Sequence, residues 1–133
     1  MDPRLLLDTH VLVRWLIDSK RLSREQTRVL EAAVRRTEPI ALSSITLLEV
    51  ALLASEGKLS FKDSLNSFFD DLRSNPIFRI VPLSYDVALE VASVKLLKDP
   101  ADRTIVATAR VHQLRLVTSD KRIIDSNLVT TVG

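Results

Sequence analysis

Apolar residues fall along this chain in short runs separated by stripes of helical spacing. Arg4 to Asp8 is a short apolar run closed by an acid, which predicts a buried strand. Val11 to Asp18 sets Val11, Leu12, Trp15 and Leu16 on one stripe of a helix. Ser23 and Gln26 have capping-box spacing and open a helix to about Arg36, which Pro39 ends. Ile40 to Ser43 is a second strand, and Ser44 caps a helix from Ile45 to about Glu56 with Gly57 as its stop. Ser60 with Asp63 opens a further helix to about Arg73, before Asn75-Pro76. Phe78 to Val81 reads as a third strand, and Ser84 caps a helix to about Leu97. Asp99-Pro100-Ala101-Asp102 opens the next helix, to about His112, with Asp at N-cap and Pro at N1. Arg115 to Thr118 is a fourth strand, Lys121 to Ile124 a helical turn, and Leu128 to Val132 a last strand.

Strands alternating with helices mean βαβ units and a parallel sheet, so the predicted fold class is α/β. No repeat, linker or low-complexity stretch divides the chain, and residues 1–133 are expected to form a single domain.

Composition narrows the chemistry. Hydrophobic residues make up 46% and charged residues 27% of the 133, the balance of a globular chain with a real core. There is no cysteine, which excludes disulfides, thiolate zinc sites and a thiol nucleophile. Two histidines are too few for a histidine-built zinc site, so any metal must sit on oxygen ligands, which points to Mg²⁺ or Mn²⁺. The net charge of +2 is too mild to diagnose nucleic-acid binding by itself. Asp8 and His10 interrupt the first apolar run, so neither a signal peptide nor a membrane span is expected, and the expected compartment is the cytoplasm. With Gly57 and Gly133 as the two glycines, the chain has no glycine-rich phosphate loop.

In an open parallel sheet, ligands bind beyond the carboxyl ends of the strands. Asp8 ends the first strand, Asp120 lies just past the fourth, and Glu49 follows the second. Asp102 sits in the first turn of the helix before the fourth strand, and the sequence alone does not derive its approach to the others. Four carboxylates so placed can converge on one acidic pocket, which needs a cation to offset their repulsion. A divalent cation activates water and offsets charge on a phosphate, while a spare carboxylate accepts a proton. That chemistry is hydrolysis of a phosphodiester.

Leu5-Leu6-Leu7-Asp8-Thr9-His10 resembles the opening strand of PIN-domain proteins, notably the VapC-type toxins of toxin–antitoxin pairs. Ser43-Ser44-Ile45-Thr46 leading to Glu49 is similar to the second acidic motif of that family. Asp99-Pro100-Ala101-Asp102-Arg103 followed by Ile105-Val106-Ala107 resembles the third, and Val117-Thr118-Ser119-Asp120 the fourth. Each motif alone is weak, but four in order across nearly the whole chain are specific. The resemblance implies a three-layer α/β/α fold around a mainly parallel sheet of about five strands. It also implies Mg²⁺ or Mn²⁺ at Asp8, Glu49, Asp102 and Asp120, and endoribonuclease activity on RNA. A cognate antitoxin and a homodimer or higher homo-oligomer follow from the same resemblance. At the third position Asp99 and Asp102 both suit an acidic role, and Asp102 matches the family pattern because it directly precedes Arg103.

Each residue also has an ordinary structural use. Asp8 can be a strand-end turn residue, and Asp99 with Asp102 makes a helix N-cap that needs no chemistry. Glu49 lies among Leu47, Leu48, Val50 and Ala51, where an unpaired acid is costly unless neutralised. Thr118 could orient a metal-bound water through its hydroxyl or serve simply as a β-branched strand residue, and Asp99, first of all a helix cap, could support the metal ligands from behind. Arg103, Arg14 and Lys121 are the candidates for RNA phosphates, with Arg110 and Arg122 also nearby in sequence. His10 is a weak candidate base, His112 reads as a solvated residue, and Trp15 as core. Two other functions compete. A haloacid-dehalogenase-like phosphatase needs a second aspartate two positions after the first, where this chain has His10. A degenerate PIN-fold RNA-binding or scaffold module would be expected to have lost acids that this chain keeps.

Overall fold

The computed structural model describes residues 1–133. Five strands form one sheet: β1 (Leu5–Leu7), β2 (Ile40–Ser43), β3 (Phe78–Val81), β4 (Arg115–Val117) and β5 (Thr131–Val132). Their order across the sheet is β3-β2-β1-β4-β5, and every neighbouring pair is parallel. Seven helices connect them: α1 (Thr9–Ile17), α2 (Arg24–Arg35), α3 (Ser44–Ser55), α4 (Leu65–Ser74), α5 (Tyr85–Ser93), α6 (Pro100–His112) and α7 (Lys121–Ser126). A short 3₁₀ turn, Ser19–Arg21, links α1 to α2.

The central strands are apolar on both faces, and their side chains divide between two cores. Leu5 and Leu7 of β1, with Ile40 and Leu42 of β2, pack against Val11, Leu12, Val29, Leu30, Phe68 and Leu72. Those partners come from α1, α2 and α4. Leu6 and Ala41, one residue out of phase, join Leu116 in the opposite core with Val87, Ile105, Val106 and Ile123 of α5, α6 and α7. The period-two alternation of strand side chains thus builds the three-layer α/β/α fold. Leu6, Leu7, Leu42 and Leu116 are fully buried, each contributing roughly 1.5–3 kcal/mol relative to exposure.

Several boundaries differ from expectation. The fourth helix is capped by Ser64, whose side chain accepts from the Ser67 amide, and not by Ser60 with Asp63. Ser43 caps α3, while Ser44 accepts a bond from the Leu83 amide and ties the start of α3 to the loop before α5. Helix α5 stops at Ser93 and not near Leu97; Val94 and Leu97 stay buried beyond its end. The last strand shrinks to Thr131–Val132, because the chain is still turning out of α7 at Leu128, whose amide donates back to the Ser126 hydroxyl at 3.3 Å.

Strand order reverses between β1 and β4: the chain runs outward from β1 to β3 on one side and from β4 to β5 on the other. Parallel sheets of this kind open a crevice at the carboxyl ends of the two strands flanking the reversal.

Candidate functional site

Asp8 follows β1 and Asp120 follows β4, so both stand at the crevice where the strand order reverses. Glu49 lies on the second turn of α3, which leaves the end of β2. Asp102 is the third residue of α6. In a parallel sheet each connecting helix runs back against the strands, so α6 starts at the same carboxyl edge. That is why Asp102 meets acids from which the sequence separates it. The helices α1, α6 and α7 also begin at this edge, and the positive ends of their dipoles partly offset the negative charge there.

Hydroxyl groups hold two of the acids. Asp8 is 3% exposed and occupies the N-cap position of α1, yet its carboxylate caps nothing. Instead the fully buried Thr118 donates its hydroxyl proton to Asp8 Oδ2 at 2.8 Å. The same Thr118 oxygen accepts from the Asp120 amide at 3.0 Å, so one side chain aligns both acids across the crevice. Thr9 donates to Glu49 Oε1 at 2.5 Å, and its oxygen lies 3.0 Å from the Thr46 hydroxyl. A hydroxyl has one proton to give. With that of Thr9 committed to ionised Glu49, Thr46 must be the donor to Thr9, and the bonds run Thr46 to Thr9 to Glu49.

The acids influence one another electrostatically. Burial pushes Asp8 up from the usual carboxylate range; the Thr118 bond and the nearby His10 pull it back, and Asp120 pushes it further up. Burial likewise raises Glu49, against the Thr9 bond, with Asp8 and Asp99 adding to the rise. Asp102 is raised to about 7, first by burial and then by the charges of Asp99, Asp8, Asp120 and Glu49. One side chain therefore feels all the other acids of the edge. Arg122 provides a partial counter-charge, 3.4 Å from Asp120 and 3.9 Å from Asp102. A recess of about 190 Å³ opens beside them, lined by Leu96, Leu97, Lys98, Asp99, Asp102 and Arg122.

Asp8, Glu49, Asp102 and Asp120 are the oxygen donors that could hold a cation. No three acids close directly into a ligand cage. Such spacing suits Mg²⁺, which dehydrates reluctantly and takes one or two carboxylates while keeping several waters. The donor set fits a hard divalent ion in kind: carboxylates and hydroxyls, with no cysteine in the chain.

The other predicted residues have varied surroundings. Asp99 caps α6, accepting from the Asp102 amide at 3.0 Å, and stands close enough to raise Asp102. Arg103 points to α5, where it donates to the Val91 carbonyl at 2.8 Å, a structural use that competes with a phosphate contact. Arg14 is half-buried on α1, whereas Lys121 is exposed at the start of α7 and His10 at the start of α1. Sequence reasoning passed over Thr9 and Thr46. A signal was present: Thr9 adjoins Asp8, Thr46 stands one helical turn before Glu49, and Thr118 stands two residues before Asp120.

The sequence profile of the PIN domain matches residues 5–126, a span that contains all four acids and the threonines that hold two of them. The chain belongs to the PIN domain family. Within that family it is 32% identical over 121 residues to Ribonuclease VapC22 of Mycobacterium tuberculosis, covering 90% of this chain and 88% of the relative. Among solved structures it resembles FitAcB from Neisseria gonorrhoeae, with a TM-score of 0.71 at 25% identity, covering 97% of this chain and 96% of that one. A toxin–antitoxin complex from Klebsiella pneumoniae matches with a TM-score of 0.65 at 26% identity over 96% of each chain. VapBC2 from Rickettsia felis, at 20% identity and a TM-score of 0.71 over 96% of each chain, shares the fold.

Proposed function

We propose that this PIN domain, residues 1–133 acting as one unit, is a divalent-metal-dependent endoribonuclease and the toxin of a toxin–antitoxin pair. The observation that carries the reading is the convergence of Asp8, Glu49, Asp102 and Asp120 at one sheet edge, where Asp102 is raised to about 7. Kinship with a relative named as a ribonuclease gives the substrate class.

When bound, Mg²⁺ or Mn²⁺ supplies a Lewis acid for a water nucleophile and for charge developing on the phosphate. Asp8, Glu49, Asp102 and Asp120 would hold it. Thr118 and Thr9 keep Asp8 and Glu49 oriented. Asp102, raised to about 7 by burial and by the neighbouring acids when no cation offsets them, marks the negative charge that a bound divalent ion would neutralise. Arg122 is exposed beside two of the acids and can meet a phosphate oxygen; Lys121 and Arg14 are further candidates for the RNA backbone.

The partners belong to the same proposal. An antitoxin is suggested by solved relatives that are toxin–antitoxin complexes. Self-association is supported by exposed Leu83, Tyr85 and Leu89 at the start of α5, with Tyr85 93% exposed. No helix is long and apolar enough to cross a membrane, in keeping with a proposed cytoplasmic location.

The test is cleavage of a mixed RNA pool by purified protein with EDTA, Mg²⁺ or Mn²⁺, alongside Asp8→Asn. Cleavage in either metal, lost in EDTA and reduced at least about 100-fold in the variant, is expected. An undiminished rate in Asp8→Asn would overturn the assignment. RNA retention without turnover in any metal would favour a binding module.

A further inference from the structure

Five acids, Asp8, Glu49, Asp99, Asp102 and Asp120, belong to the active edge. The rest of the chain then holds 19 basic against 12 acidic side chains. Part of that excess lies along α2. This helix begins at the active edge, where Gln26 donates to the Ser119 hydroxyl at 2.9 Å, just past β4. It runs back along the sheet and ends at the opposite edge, where Glu38 pairs with Arg4 and β2 starts at Ile40. At 3.6 residues per turn, Arg24, Arg28 and Arg35 share one side of α2 with Glu31, and all four are exposed, so the stripe carries three positive charges against one negative.

The stripe ends in a recess of about 240 Å³ ringed by Arg4, Arg28, Arg36 and Arg115, with Glu38 and Val29 among its other lining residues. Glu38 offsets Arg4, and Glu25 offsets Arg28. Arg36 and Arg115 form no ion pair. Four guanidinium groups gather here against two carboxylates, Glu38 and Glu25, the second of which also feels the charge of Arg115, so the cluster keeps a net positive charge although packing does not require it at one place. A row of arginines leading from a nuclease site into such a cluster matches a polyanion with regularly spaced charge. Arginine forks bind phosphate oxygens without reading sequence.

We propose that the arginine track along α2, ending in the recess of Arg4, Arg28, Arg36 and Arg115, holds the RNA backbone beyond the scissile bond. This rests on the ribonuclease reading and adds a substrate class to it: RNA long enough to reach from the active edge to the opposite edge of the sheet. An oligonucleotide that occupies only the acid edge gains nothing from the track.

The experiment pairs Arg36→Glu with Arg115→Glu in one variant, and compares a long RNA with a short oligonucleotide as substrates. The expected result is a KM about 10-fold higher for the long RNA, with kcat for both RNAs and KM for the short one unchanged. RNA binding is measured separately in an Asp8→Asn background, where the plot of log affinity against log salt should become shallower by about 1.4, near 0.7 per lost contact. If the charge-reversed protein melts early, the paired alanine variant replaces it and should show the same selectivity at smaller size.

Equal effects on both RNAs, or no effect on the long one, would overturn the proposal. So would an acidic peptide binding at the recess while RNA affinity stays unchanged. Salt-sensitive binding of long RNA that needs Arg36 and Arg115, without cleavage by the protein carrying Asp8, would keep the track and reject the nuclease.

Discussion

A buried carboxylate stays oriented and ionised only when something donates to it, and here threonines provide that donor. Thr118 satisfies the Asp8 carboxylate and the Asp120 amide together. Thr118→Val is therefore expected to leave both without a partner, destabilising the protein by about 1–3 kcal/mol. It should also weaken Mn²⁺ binding by about 10–100-fold, and Thr118→Ser should restore most of both. Thermal melting and Mn²⁺ titration followed by electron paramagnetic resonance check the pair of effects. Thr9→Val should act on Glu49 in the same way, with the Thr46 hydroxyl also losing its acceptor. The acids themselves were legible because each closes a strand or follows a helix start in a recognisable motif. Their hydroxyl partners were harder to see. A β-branched residue beside a strand has an adequate explanation in packing, and only the 2.5–3.0 Å contacts show what Thr9 and Thr118 bond.

At the scale of one element, α6 separates the structural and electrostatic roles of Asp99. Its carboxylate caps the helix, and its charge is the second cause, after burial, of the raised Asp102. Asparagine caps about as well as aspartate but carries no charge. Asp99→Asn is thus expected to keep the cap and lower the titration point of Asp102, measured by carboxyl carbon NMR, with a melting temperature at pH 8 no lower than that of the parent. An unmoved Asp102 would show that Asp99 contributes only the cap. Most elements were visible in the hydrophobic pattern, including the capping box of Ser23 and Gln26, which forms as expected. The misplaced ends have physical reasons. The stretch Ser60 to Ser64 offers several cap candidates, and Ser64 starts a helix that turns Phe68 and Leu72 into the core. Apolar spacing continues through Val94 and Leu97, but the chain leaves the helix there to bring Asp99 to the start of α6.

For the molecule as a whole, the raised acids make stability depend on pH and metal together. Asp8, Glu49 and Asp102 all prefer the protonated form more in the folded state than in the unfolded one. Between the unfolded value of 3.8 for an aspartate and the folded value of about 7 for Asp102, the folded state binds more protons. Stability from these groups is highest at low pH and falls as pH rises through that window. Metal-free protein is therefore expected to melt lower at pH 8 than at pH 5, as far as this cluster governs it. Added Mn²⁺ should raise the melting temperature more at pH 8, where the carboxylates are ionised and free to bind it. Asp102→Asn should flatten the metal-free trend, and scanning calorimetry at the two pH values decides the matter.

Taken alone, the sequence determined the class of fold, because runs of apolar residues at strand and helix periods depend on local spacing. It also determined the kind of chemistry, since a chain without cysteine and with two histidines leaves oxygen donors for any metal. The meeting of the acids was decided by tertiary structure. Asp8 and Asp120 are 112 residues apart, and they share a crevice because β1 pairs with β4 where the strand order reverses. Asp102 joins them because a helix packed antiparallel to a parallel sheet must begin at the sheet's carboxyl edge. Strand pairing between distant segments is a property of the assembled cores, and local spacing carries no record of it.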